Sequence, residues 1–155
     1  MARSNKPSSS RRTPTQRKAL TKLSKLMRGI DLCMMTTVGD RGAFHTRPMS
    51  NNGEVEFDGD AWFFSHRDSV KIKELKRDPS VSLSYVGGTK TKPVWIALTG
   101  RGEVIRDEET KRELWVDELE RWFDGGPEDP EVVVIKVSAK RIQWWQYDEG
   151  GEISI

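Results

Sequence analysis

Two stretches of the chain combine residue types that can hold an anion. Arg47 stands in Thr46-Arg47-Pro48-Met49-Ser50, where Pro48 has no N–H to give a sheet ladder, so its strand is interrupted or lies at an edge. That leaves nearby backbone groups open to a ligand. Further along, Phe64-Ser65 closes a β-type run, and Ser69 and Lys71 fall in the first turn of a helical segment. A helix start presents unpaired amides and a positive partial charge, to which Ser69 and Lys71 add donors and a full charge. The bidentate fork of Arg47 could complete a phosphate cradle. Taken alone, the same residues also describe an ordinary helix cap and a surface lysine.

The two histidines allow more than one reading. His45 lies two positions before Arg47 on the same run and so shares its face, while His66 follows Ser65. Proton transfer and haem ligation are within their chemistry, and a structural or surface role is the simpler account of a single unpaired histidine. Cys33 is the only cysteine, which excludes an intrachain disulfide and a cysteine-cluster metal site. Its apolar neighbours point to a buried, inert thiol. No metal site is expected. No Ser-His-Asp order, paired-carboxylate spacing or glycine-rich nucleotide loop stands out, so no catalytic residue can be named.

The elements that must position these residues are short β-type runs separated by turns. Leu32 to Val38 and Phe44 to Ser50 flank Gly39-Asp40-Arg41-Gly42, and Asn51-Asn52-Gly53 follows. Val55 to Phe57 and Ala61 to Ser65 flank Asp58-Gly59-Asp60. Val81 to Val86, Val94 to Ile105, Val132 to Val137 and Arg141 to Tyr147 complete the set. Most connections are too short for crossover helices, which predicts an antiparallel sheet, and closing such a sheet into a barrel removes its exposed edges.

Three helices are predicted. Leu20, Leu23, Leu26 and Met27 recur at helical spacing over residues 15–28, ahead of Gly29. A second helix runs from about Ser69 to Arg77, capped by Asp68 or Ser69 and stopped at Asp78-Pro79. A third follows Asp107, with Glu108 and Glu109 in its first turn, and ends before Gly125-Gly126-Pro127. Trp115, Leu119 and Trp122 would share one face of it, packed on the barrel or across a dimer.

A chain of 155 residues fits one domain. Charged residues make up 32 %, yet six Trp and five Phe supply bulky material for a core. No apolar run approaches membrane-spanning length and the N-terminus lacks a signal-peptide stretch, so no membrane association and a cytoplasmic location are expected. Charge is unevenly placed: residues 1–28 hold nine Lys and Arg and no acid, leaving 17 basic against 24 acidic residues in the remainder. Residues 1–14, rich in Ser, Pro and Arg, read as a disordered basic tail, and 15–155 as the folded domain with its amphipathic helix. The arm has no aromatic for base stacking; lying on the acidic body accounts for it more simply than nucleic-acid contact, which stays as an alternative.

The order of these pieces resembles the FMN-binding split barrel of the pyridoxamine 5′-phosphate oxidase-like superfamily, over about residues 17–147. There, an Arg-containing strand, an aromatic-Ser/Thr strand end and a Ser-x-Lys helix start surround the flavin phosphate. Here these look like Arg47-Pro48-Met49-Ser50, Phe64-Ser65 and Ser69-Val70-Lys71. Within the superfamily the general stress protein branch is the nearer likeness, through Met35-Thr36-Thr37, Arg47-Pro48-Met49 and above all Trp122-Phe123-Asp124-Gly125-Gly126-Pro127-Glu128-Asp129-Pro130. Arg141-Ile142-Gln143-Trp144-Trp145-Gln146 resembles the terminal strand that carries a flavin-contacting tryptophan, here Trp145.

The resemblance implies a mainly β fold with flanking helices, an antiparallel six-stranded split β-barrel, working as a homodimer with flavin sites at the interface. It implies FMN as cofactor, its phosphate on Arg47 and Lys71 and its ring framed by Phe64, Trp95 or Trp145. The chain departs from the family pattern in three places. It ends in Gly150-Gly151-Glu152-Ile153-Ser154-Ile155 where true oxidases carry an Arg-Leu-His-Asp-Arg-like segment, so vitamin B6 oxidation is not expected. Trp95 replaces a polar flavin contact, and Val70 replaces the arginine of an Arg-Lys pair. The loss of a phosphate donor at Val70 opens cofactor choice toward FAD or a deazaflavin. The expected function is a stress-related small-molecule oxidoreductase with a nicotinamide electron donor, the alternative being a non-catalytic flavin sensor or buffer.

Overall fold

The computed structural model describes residues 12–51 and 55–155. Among these, seven strands form one antiparallel sheet: β1 (Leu32–Val38), β2 (Phe44–Ser50), β3 (Asp60–His66), β4 (Ser80–Gly88), β5 (Pro93–Ile105), β6 (Val132–Gln146) and β7 (Gly150–Ser154). Six lie in the order β2-β1-β4-β5-β6-β3, and β7 pairs with β6 off that path. The mainly β, split-barrel expectation holds. Terminal Gly150–Ser154, which no β-type pattern marked, folds back on Arg141–Trp145 and adds the seventh strand.

Strand alternation sets the core. Cys33, Met35 and Thr37 of β1, Val81, Leu83 and Tyr85 of β4, and Val94, Ile96 and Leu98 of β5 all point inward. The sequence suggested two strands in 132–147, but β6 runs unbroken through Ser138–Lys140. It changes partner along its length, pairing β3 over Val132–Ser138 and β7 over Arg141–Trp145, while β5 follows both halves through a register shift at Thr99/Gly100. A Cβ at Gly100 would press on the Ser138 carbonyl, so this bulge requires glycine. Residues 55–57, expected as a strand, form none, and Asn52 and Gly53 of the expected turn lie outside the described residues.

Helix α1 (Pro14–Met27) opens with a capping box between Thr13 and Gln16 and has Pro14 in its first turn. Thr13 and Pro14 thus belong to the helix start rather than to the tail, whose residues 1–11 lie outside the described part. Leu20, Leu23 and Met27 are buried, and the helix packs on β4 and β7, so the domain itself covers the apolar stripe. Helix α2 (Val70–Arg77) follows β3 with Ser69 as N-cap, and packs Ile72 and Leu75 toward β1 and β5.

The third predicted helix breaks. Helix α3 (Glu108–Leu114) stops at Trp115, which with Val116 is extended, and a 3-10 segment covers Asp117–Arg121. The break puts Trp115 and Leu119 into a satellite cluster with Phe64, Phe123, Val132 and Val134, whereas Trp122 is exposed beneath the Arg121 guanidinium. Packing of half-buried Trp115 against Phe64 outweighs helical continuation. Among the described residues no helix is long and apolar enough to cross a membrane, and no group of His, Cys, Asp and Glu could hold a metal ion.

Candidate functional site

Arg47 sits on β2, the end of the strand path, which is why Pro48 is tolerated beside it. Strand alternation separates the run around it. Arg47 shares the inner face with His45 and Met49, and Met49 is buried in the main core, while Pro48 and Ser50 are exposed on the other face. Of the four residues 47–50, the side chain of Arg47 alone enters the polar cluster described next.

That guanidinium is held firmly. Arg47 Nη1 donates to the Met35 carbonyl at 3.2 Å and to Thr37 Oγ1 at 2.7 Å, and Nη2 donates to Glu74 Oε1 at 3.2 Å. Glu74, from α2, is buried at 4 % exposure. Its Oε1 also accepts from Thr37 Oγ1 at 3.1 Å, and its Oε2 lies 2.7 Å from His45 Nδ1. A buried carboxylate needs such company, because unpaired it would cost several kcal/mol in lost solvation. A Cβ at Gly39 would stand 2.5 Å from His45 Cε1 and 2.7 Å from Glu74 Oε2, so the backbone there closes on the pair.

Lys71 comes from the first turn of the same helix. Its ammonium is pushed below the ordinary lysine range, first by partial burial and then by the Arg47 guanidinium. Among the described residues it has no carboxylate partner. Ser65 is buried, and its hydroxyl meets that of the N-cap Ser69 at 3.0 Å and donates to the His66 carbonyl at 3.1 Å. Ser69 therefore spends its side chain on Ser65 rather than on a helix amide. The amides of Val70 and Lys71 begin the helix without backbone acceptors. The start of α2 thus gathers two cations, two hydroxyls and free amides.

Within one protomer, the aromatic residues expected at the flavin ring lie away from this polar cluster. The Phe64 ring packs edge-on against Trp115, centroids 5.3 Å apart, inside the satellite cluster. Trp95 and Trp145 are direct cross-strand partners, about half exposed, in one row with Val86. Exposed Met34 and Pro48, themselves a cross-strand pair, stand on the same face. His66 packs against Phe123 with centroids 4.8 Å apart and ring planes tilted by 56°. Burial pushes the Cys33 thiol up to about 12, so it is inert, as its apolar neighbours suggested.

Sequence reasoning missed Glu74 and Thr37. The available signal was that Glu74 is the lone acid in a helix with Lys71, Lys73, Lys76 and Arg77. The Trp122–Pro130 run acquires a structural reason: buried Lys111 donates to the carbonyls of Asp129 at 3.0 Å and Val132 at 3.1 Å, tying that loop to α3.

A family model described as pyridoxamine 5′-phosphate oxidase like matches residues 18–155. The chain belongs to the pyridoxamine 5′-phosphate oxidase-like family. Two curated relatives are Protein bli-3 of Neurospora crassa, 29 % identical over 74 % of this chain and 58 % of that protein, and General stress protein 26 of Bacillus subtilis, 23 % identical over 57 % and 64 %. The matched part spans less than two thirds of either relative's length. The crystal structure of General Stress Protein 26 from Bacillus anthracis str. Sterne shares the fold, with a TM-score of 0.74 at 23 % identity over 88 % of this chain and 98 % of that one. Both General stress protein 26 sequences are thus similar to this chain, the one in sequence and the other in fold.

Proposed function

We propose that the protein is an FMN-binding flavoprotein acting as a homodimer, with the flavin phosphate at the start of α2 and the ring at the interface of two copies. The observation that carries this is Lys71, a partly buried cation without a carboxylate partner among the described residues, set beside Arg47 and the free amides of α2. Arg47 already has Glu74 as its counter-charge, but a partly buried Lys71 beside that guanidinium is costly until an anion joins it, and a phosphate monoester brings the needed charge and several acceptor oxygens. Members of this family typically bind flavins or related ligands. A terminal monoester selects FMN among them.

The ring's surroundings come from the second copy. Val86, Trp95 and Trp145 form an exposed row with Leu32 and Met34 on the same face, and contiguous exposed apolar surface of this kind marks an interaction site. When bound, the flavin supplies reversible electron transfer to a small molecule, with a reduced nicotinamide as donor, in the cytoplasm. The residues of the chain bind and orient it. Lys71, Arg47, Ser65 and Ser69 hold the phosphate end, while the partner copy's indole rings cover the ring and exclude water.

The test begins with the absorption spectrum of the purified protein and the chromophore released on denaturation. FMN is expected; a haem spectrum, or no uptake of added FMN, overturns the proposal. Lys71→Met is expected to weaken FMN binding about tenfold and riboflavin binding little, since only FMN carries the phosphate. Equal losses for both ligands would remove the phosphate assignment. Bleaching of the bound flavin by reduced nicotinamide supports the oxidoreductase reading; a flavin that stays oxidised with every such donor points to a sensor or buffer.

A further inference from the structure

Helix α2 carries four cations and one acid, and that acid is buried with the apolar residues Ile72 and Leu75. Its position is unexpected for a site that attracts anions. Glu74 Oε1 sits 3.2 Å from Arg47 Nη2, so one of the two cradle cations already has a permanent counter-charge. Lys71, three residues earlier on the helix, has none among the described residues. Arg47, Lys71 and Glu74 together carry a single net positive charge. The neighbouring Asp40 and Arg77 form their own ion pair and leave that sum unchanged.

The arrangement keeps the carboxylate in place. Thr37 and Arg47 occupy Oε1, His45 meets Oε2, and the Gly39 backbone closes over the His45–Glu74 contact. A carboxylate held on both oxygens cannot swing away when an anion arrives. A fixed negative charge a few ångströms behind Arg47 therefore weakens the pull on any phosphate, and more so on a dianion than on a singly charged one, because the repulsion scales with ligand charge.

We infer that Glu74 is a specificity-determining residue of the cradle, which trims its charge and so sets how strongly a terminal phosphate is favoured over its absence. The inference rests on the phosphate reading of the α2 start, and it gives Glu74 a sign opposite to that of a mere support for Arg47. Were Glu74 only a support, losing its charge would loosen Arg47 and weaken phosphate binding. As a charge regulator, its loss strengthens phosphate binding.

The experiment measures FMN and riboflavin dissociation constants at pH 8 for the full-length wild type and for Glu74→Gln, which keeps the shape and an acceptor for Arg47 and Thr37. The expected result is a rise of about threefold or more in the preference for FMN over riboflavin, with riboflavin affinity unchanged. Glu74→Met, which removes the charge with an apolar side chain of similar length, serves as the second variant should Glu74→Gln fold poorly, and the same rise is expected. A preference that falls or stays level in whichever variant folds overturns the role of Glu74. A wild type that binds FMN and riboflavin equally overturns the phosphate reading itself, and this inference with it.

Discussion

Arg47 and Trp95 lie on opposite faces of one sheet. Arg47 pairs with Met35, and Met35 with Leu83, along an inward row, whereas Trp95 pairs with Val86 and Trp145 along an outward one. Within one protomer the guanidinium and the indole are divided by the sheet, so a ligand that uses both draws them from two copies. In the proposed dimer, that relationship makes the second copy part of the site. Val86 is 65 % exposed beside Trp95 and is assigned no flavin contact of its own.

Val86→Glu is accordingly expected to convert the dimer to a monomer, because a carboxylate cannot be buried unpaired in an apolar interface without a cost of several kcal/mol. Light scattering after size exclusion reads the mass, and flavin content reads the site. Both should fall together. A monomer that keeps its flavin at full affinity would show that each site is complete within one copy.

Lys71 gives a pH dependence whose sign follows from its environment. Burial and Arg47 lower its pKa, so in the free protein the ammonium loses its proton below the usual lysine range. Between the folded and unfolded values the unfolded chain binds the extra proton, and the stability of the free protein therefore rises with pH through that window. Phosphate affinity runs the other way. FMN binding should weaken as pH rises from 7 toward 10, with riboflavin as the control for titration of the ring itself. Lys71→Met should abolish the difference between the two ligands' profiles, and parallel profiles in the wild type would show that Lys71 does not meet the phosphate.

Lys111 tests the loop that carries the family likeness. It is 2 % exposed and its ammonium is held by the carbonyls of Asp129 and Val132. Lys111→Met removes two charge-assisted bonds while relieving the burial of a charge, so the expected net loss is roughly 2 kcal/mol of stability. Thermal melting should show a drop of several degrees. An unchanged melting temperature would mean that the loop's other contacts, the buried Phe123 and the Arg112–Glu128 ion pair among them, are enough to anchor it.

Much of the local architecture is legible in the sequence. The bounds of β1 and β2 and the α2 stop at Asp78-Pro79 follow from alternation and proline placement, which act over a few residues, whereas the choice of Ser69 over Asp68 as N-cap was made by the fold. The Arg47 and Lys71 pair was legible as well, because cations near an edge strand and a helix start carry a short-range chemical meaning. What could not be read depended on contacts between distant segments. Trp115 leaves its helix because Phe64, fifty-one residues earlier, offers it a ring to pack on.

Along the linear chain, periodicity and capping set a β-rich domain and the strand and helix that carry the two cations, because both act over a few residues. Tertiary structure alone decided that Glu74 is buried against Arg47 and His45, that Phe64 turns into a satellite core, and that the indoles stand across the sheet from the cradle. The physical reason is that a carboxylate at a helical position looks the same in sequence whether water or a guanidinium solvates it. Only the docking of α2 against β1 and β2 makes that choice.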